Sequence, residues 1–174
     1  MMPGWIIWML IEVPLFAAVV MGTHLVMSLG QTLMHCWLGH RRFGGAFFRN
    51  HINFHHVHYA KGHLTSAVPL ENDDNNTPFF FIPLLLAGLA AWFVLPLALF
   101  LAVPLGAAAS FFVHVWFDRA YHVEGTWLNR FAWFRRKQQL HFVHHLHANR
   151  NFAVVDFFWD RVLGTYREPD QTLR

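Results

Sequence analysis

Hydrophobic and polar positions along this chain fall into long blocks, not into short alternating stretches. Residues 5–29 are almost continuously apolar and, as a helix, long enough to cross a hydrocarbon layer of about 30 Å. Residues 30–63 are polar and aromatic. Residues 71–78, ENDDNNTP, read as a turn-rich linker, with Thr77 as a helix cap and Pro78 as the first helical residue. Residues 79–117 contain no Asp, Glu, Lys or Arg. As helix they span roughly 58 Å, enough for about two crossings. Pro96 is the expected turn, with Pro83 and Pro104 as kinks or helix starts. The pattern predicts an all-α integral membrane protein. It has one domain over residues 1–174, transmembrane helices near 5–29, 79–95 and 97–117, and a helical cap made of residues 30–63 and 118–166. One long crossing followed by an interfacial helix is the alternative to the hairpin.

Composition supports that class. The chain is 55% hydrophobic, 17% aromatic and 13% charged, where a soluble domain carries roughly a quarter charged residues. A single cysteine, Cys36, excludes a disulfide framework and a thiolate zinc cluster. Residues 5–29 do not read as a signal peptide, because no Lys or Arg precedes them and no small-residue cleavage site stands out. Glu12 lies in this apolar run, close enough to its start to reach the interface.

Charge then orients the chain. The 13 Lys and Arg residues are confined to 41–61 and 119–174 and are absent from the apolar blocks. They read as cytoplasmic flanks under the positive-inside bias and not as a nucleic-acid surface. Basic segments on both sides of residues 79–117, with none at the tip, favour the hairpin. Both histidine-rich regions then share the cytoplasmic face.

The 14 histidines carry the chemistry. His141, His144 and His145 stand at i, i+3, i+4, which places three rings on one face of a helix. His51 and His55 are i, i+4, with His56 adjacent. His35 and His40 are i, i+5, roughly 140° apart on a regular α-helix, so a helix end or kink is needed to aim them at one centre. Imidazoles without thiolates suit iron, zinc, copper or nickel. Eight of them in three boxes exceed what one ion needs and suit two.

The three boxes, H-x4-H, H-x3-H-H and H-x2-H-H, resemble those of membrane-bound non-haem di-iron oxygenases. Residues 151–166, NFAVVDFFWDRVLGTY, are similar to the closing signature of the fatty acid hydroxylase/sterol desaturase superfamily. There an Asn-Phe follows the last His-His pair, and Trp-Asp-Arg…Gly-Thr-Tyr ends the domain. The resemblance covers roughly residues 30–167. It implies that His35, His40, His51, His55, His56, His122, His141, His144 and His145 bind two iron ions, for which zinc can substitute in a purified sample. The family also has an H-x3-H box after the hairpin. Here the stretch reads FDRAYH, so Asp118 and His122 stand where two histidines are expected. Asp118 is either an oxygen ligand, a group orienting a ligating imidazole, or a simple partner for Arg119 or the membrane edge.

What the resemblance implies is a lipid hydroxylase or desaturase. It takes a fatty acyl chain or sterol among the membrane lipids, uses O2, and draws electrons from a cytochrome b5-, ferredoxin- or reductase-like partner, since no Gly-rich dinucleotide fingerprint is present. Arg135, Arg136 and Lys137 offer a contact for an acidic partner or an anionic head group, or anchor the cap at the cytoplasmic face. His58, His63 and His147 are expected at the surface or behind the ligands. The competing readings are a haem-binding electron-transfer membrane protein with His24 and His114 as axial ligands, and a non-catalytic metal-binding membrane protein.

Overall fold

The computed structural model describes residues 4–70 and 78–170, so most of the 71–78 linker and the Thr77 cap lie outside the described residues. Among those described, helices dominate, and an isolated bridge between Ser66 and Val123 is the sole β pairing. Long apolar runs have one economical way to satisfy their backbone polar groups without water, which is to form helix.

Helix α1 spans Gly4–Met34 with Pro14 inside it, and its end passes directly into a π-helical turn, His35–Gly39. The first box therefore rides on the end of the first long helix. After a short helix, α2 (Ala46–Phe48), a second π-helical segment, Arg49–His56, carries the second box. Helix α3 is Pro78–Val94, and the chain breaks at Pro96 before α4, Leu97–Phe100. Helix α5, Ala102–His122, keeps Pro104 in its first turn, where a missing N–H costs nothing. Helix α6, Ala132–Leu146, carries the third box, and α7, Phe158–Val162, closes the fold.

Among the described residues, two helical stretches are long and apolar enough to cross a membrane, Leu10–Gly39 and Leu97–His122. Helix α3, with 17 residues, is about 26 Å long, at the short end of what a crossing takes. Helix α1 packs along both α3 and α5. Two glycines allow the close approach. A Cβ on Gly106 would stand 2.6 Å from the Val20 carbonyl oxygen, and one on Gly30 would stand 2.3 Å from the Pro83 ring. Met27, Phe80 and Ala107 bury themselves where the three helices meet, with Phe111 against them. Leu85, Leu89, Trp92 and Phe93 of α3 remain exposed on its outer face.

A second core lies under the polar cap. Phe117, Tyr121, Leu128, Phe134, Val154 and Val155 are buried together. The Tyr121 hydroxyl donates to the Val154 carbonyl (2.9 Å), and the Gln138 amide donates to the Tyr121 carbonyl (2.7 Å). These contacts fix α5, α6 and the C-terminal loop relative to one another. Glu12 lies exposed on α1.

Candidate metal centre

The π-helical turns resolve the awkward i, i+5 spacing of the first box. A π turn closes with i→i+5 bonds, so residues five apart come nearly into line. His35 and His40 thereby face one point, and so do His51 and His56. The second box does not pair His51 with His55 as its i, i+4 spacing suggests. His55 turns to a different centre, although its ring stacks on His51 at 5.4 Å between centroids. The third box is divided in the same way, His141 and His145 facing one centre and His144 the other.

Two groups of histidines result. His35, His40, His51, His56 and His144 form one, and His55, His122, His141 and His145 form the other. Within each group one nitrogen per residue lies within 4.8 Å of all the others. In the first group the Nε2 separations are 2.7 Å (His35–His51), 3.0 Å (His40–His51 and His51–His56), 3.1 Å (His40–His144 and His56–His144) and 3.3 Å (His35–His40). In the second they are 3.0 Å (His122–His141) and 3.2 Å (His141–His145). Nitrogens held about 2.1 Å from one ion stand about 3.0 Å apart at a right angle, about 3.4 Å at the tetrahedral angle, and about 4.2 Å when opposite. The observed spacings are those of ligands around an ion. The groups abut, with the rings of His56 and His145 stacked at 4.3 Å.

The far side of several rings explains their orientation. Nδ1 of His35 donates to the Phe152 carbonyl (2.6 Å), that of His122 to Leu64 (2.7 Å), that of His144 to Arg150 (2.8 Å) and that of His145 to Tyr59 (3.0 Å). A proton on Nδ1 leaves the Nε2 lone pair of a neutral ring facing inward. Burial, followed by the neighbouring imidazoles, lowers the pKa of His40, His56, His141 and His145, and burial pushes His144 down to about 4. The rings are therefore neutral near pH 7 and able to donate to a metal. The donor set, its spacing and its tautomers all fit iron or a similar ion.

A family model described as fatty acid hydroxylase matches residues 71–165, more than half of the chain. The chain belongs to the fatty acid hydroxylase family. This family is part of the fatty acid hydroxylase/sterol desaturase superfamily, whose members are iron-using oxidoreductases acting on lipids with O2. No curated protein and no solved structure matches the chain. The match contains His122, His141, His144 and His145 but begins after the first two boxes. It is the fold that brings His35, His40, His51, His55 and His56 to the same place. Together with the two long apolar helices, membership associates the chain with a membrane.

The closing signature has a mechanical reading. Asn151 takes a left-handed backbone (φ 51°), which asparagine tolerates better than most residues. Its side-chain amide donates to the Leu140 and Arg167 carbonyls, and its Oδ1 accepts from Arg167 N–H (2.8 Å). Phe152 lays its ring against His35, His40 and His144. Asp160, fully buried, accepts from the N–H of Phe152 (2.7 Å) and of Ala153 (3.0 Å) and from the Thr165 hydroxyl (2.6 Å). Burial raises the Asp160 pKa against these hydrogen bonds. The chain Asp160–Phe152–His35 thus runs from the signature to the first histidine group. Tyr59 does similar work at the second, stacking on His122 at 3.8 Å while its carbonyl holds His145.

The remaining candidates lie elsewhere. His114 is buried one turn before Asp118 on α5 and shares a hydrogen bond with Gln31 (3.1 Å). His24 pairs with Asp156 (3.1 Å). These are the two histidines considered for haem, and both are engaged with protein partners. His58 and His63 are exposed and His147 is half-buried, outside both groups. Arg135 donates to the Asn129 carbonyl (2.7 Å), Arg136 bonds Tyr166 and Glu168, and Lys137 turns inward to the Val155 carbonyl. All three basic residues make contacts that tie the cap together.

Proposed function

We propose that the chain is a membrane-bound non-haem di-iron oxygenase that hydroxylates or desaturates a C–H bond of a lipid such as a fatty acyl chain or sterol. It uses O2 and electrons from an external donor. The observation that carries this reading is the convergence of nine imidazoles into two abutting groups at ligand spacing, with several of their outer N–H protons held by backbone carbonyls. In this reading His35, His40, His51, His56 and His144 hold one iron, and His55, His122, His141 and His145 the other. The iron pair, when bound, supplies the activation of O2 that attack on an unactivated C–H bond requires.

The chain's own residues do the rest. The buried rings exclude water, and backbone carbonyls fix the Nε2 directions of His35, His122, His144 and His145 before metal arrives. An apolar cavity of about 360 Å³, lined by Met27, Phe80, Leu84, Ala107 and Phe111 among others, lies between α1, α3 and α5. Its lining suits a hydrocarbon chain. Met27, Gln31 and His35 succeed one another at i, i+4 on one face of α1, as do His114, Asp118 and His122 on α5. The cavity therefore lies along the same helix faces that lead to the ligands. Residues 1–174 act as one domain with the boxes on the cytoplasmic face. There a cytochrome b5-, ferredoxin- or reductase-like partner delivers electrons. Position of the substrate carbon, not the ligand set, decides between alcohol and alkene.

The test is metal content of the detergent-purified protein, measured with an absorption spectrum of the same sample. About two irons per chain without a haem band supports the reading. A haem band, or no metal after reconstitution with ferrous iron, refutes it.

A further inference from the structure

We infer that the outer face of α5 carries a binding site for an anionic acyl phospholipid, with the phosphate at Arg119 and an acyl chain running past Phe112. The inference concerns the lipid side of the molecule. It stands apart from the oxygenase reading and needs no metal.

Successive residues divide the end of α5 between two sides. Asp118 is 2% exposed, with Oδ1 3.4 Å from His141 Nε2, and so faces the histidines. Arg119, about 100° further round the helix, is exposed. Among the described residues, no hydrogen bond or ion pair engages its guanidinium. Other basic residues of the cap are committed: Arg135, Arg136 and Lys137 bond protein oxygens, and Arg130 lies over the Trp127 and Phe131 rings at 4.8 and 4.9 Å. Arg119 lines a groove of about 360 Å³, to which Thr126 adds a hydroxyl and Phe112, Val115 and Trp116 an apolar wall. Phe112 and Arg119 are seven residues apart, about two turns or 10 Å along the helix. The groove thus has a cationic end and an apolar end, the polarity of a lipid head and its chain. Phe112 also lines the apolar cavity between α1, α3 and α5, so the groove leads a chain toward hydrocarbon-lined space.

The depth of Arg119 fits a head group. Trp116, Trp127 and Trp133 are each about half exposed. Ring contacts through Phe117 and Phe131 join them into one band: 5.3 Å for Trp116–Phe117, 5.9 Å for Phe117–Trp133, 6.0 Å for Phe131–Trp133 and 5.7 Å for Trp127–Phe131. Exposed tryptophans collect where a bilayer meets water, and a cation at that level attracts anionic head groups. A guanidinium binds phosphate through paired N–H donors, and phosphate has oxygens enough to take the Thr126 hydroxyl as well.

The test is lipid retention by the full-length protein, delipidated in neutral detergent and offered equal amounts of palmitoyl-oleoyl phosphatidylglycerol and palmitoyl-oleoyl phosphatidylcholine. Native mass spectrometry reads the lipid kept. The parent should retain one phosphatidylglycerol with about a five- to tenfold preference. Arg119→Gln should abolish that preference. Arg119→Lys should keep part of it, since lysine offers charge without the planar fork. Arg42→Gln, at an exposed cation elsewhere in the cap, should leave it intact. Helical circular dichroism and monodisperse elution establish that each variant is folded. Equal retention of the two lipids by the parent would overturn the site, as would a loss in Arg42→Gln as complete as in Arg119→Gln. Glycerol phosphate that displaces the lipid as well as a second phospholipid does would show a phosphate site without a chain contact and overturn it too. Palmitate retained in place of phosphatidylglycerol, with the same dependence on Arg119, would overturn the phospholipid assignment.

Discussion

Asp160→Asn is the substitution that most sharply tests whether the closing signature serves the metal centre. Asp160 Oδ1 takes the Phe152 N–H and the Thr165 hydroxyl, and Oδ2 takes the Ala153 N–H. Asparagine keeps one acceptor oxygen and replaces the other with NH2. The Ala153 N–H then faces a donor and is left unsatisfied in a buried site, a cost of about 1–3 kcal/mol. The two bonds that remain lose their charge assistance, about 1 kcal/mol each. Removing a buried charge, the cause of the raised Asp160 pKa, returns part of this. A net destabilisation of about 2–3 kcal/mol follows. The effect is local to residues 152–153, where the Phe152 carbonyl fixes the His35 tautomer at 2.6 Å. Metal at the five-histidine position should therefore bind about 10- to 100-fold more weakly, with the other position less affected. The assay is iron retained during timed dialysis against a chelator, alongside thermal unfolding in detergent. Unchanged stability and iron retention in Asp160→Asn would refute the argued link from the signature to His35.

His144→Ala removes a nitrogen that lies 3.1 Å from both His40 and His56. It should lose the metal of that group while the protein still inserts into membranes, read by iron content of the membrane-extracted protein. Gly106→Leu drives a side chain into the Val20 carbonyl and Thr23 where α1 crosses α5. Overpacking of about 1–3 kcal/mol should lower the unfolding midpoint, and separating α1 from α5 should loosen metal held between residues of the two helices; Gly106→Ala should be milder.

Much of the site was legible because histidine is costly to cluster and its boxes were written in the chain. Blocks of apolar residues announced the helices, and Pro96 marked the break between α3 and α4. What the spacing could not convey was helix type. An α-helical ruler pairs His51 with His55 and sets His35 and His40 apart, whereas the π-helical turns reverse both relationships. The same ruler groups His141, His144 and His145 on one face, which is correct, yet a face wide enough for three rings here serves two centres.

Other features depend on long-range packing. Nothing local indicates that the Phe152 carbonyl reaches His35, 117 residues earlier, or that Gln31 meets His114. Asp160 was visible as part of the signature, but its work on the 152–153 backbone emerges only when α7 docks on the loop. Arg135, Arg136 and Lys137 read as a basic stretch in sequence, and nothing local tells that each also bonds a group within the cap. The break at Pro96 divides residues 79–117 unequally, leaving α3 shorter than α5.

The most direct test of the central claim is iron per chain of the full-length protein after anaerobic reconstitution, with an absorption spectrum and a Mössbauer spectrum of the same sample. Nine converging imidazoles predict about two non-haem irons and no haem absorption. One iron or none, or a haem spectrum, would contradict it.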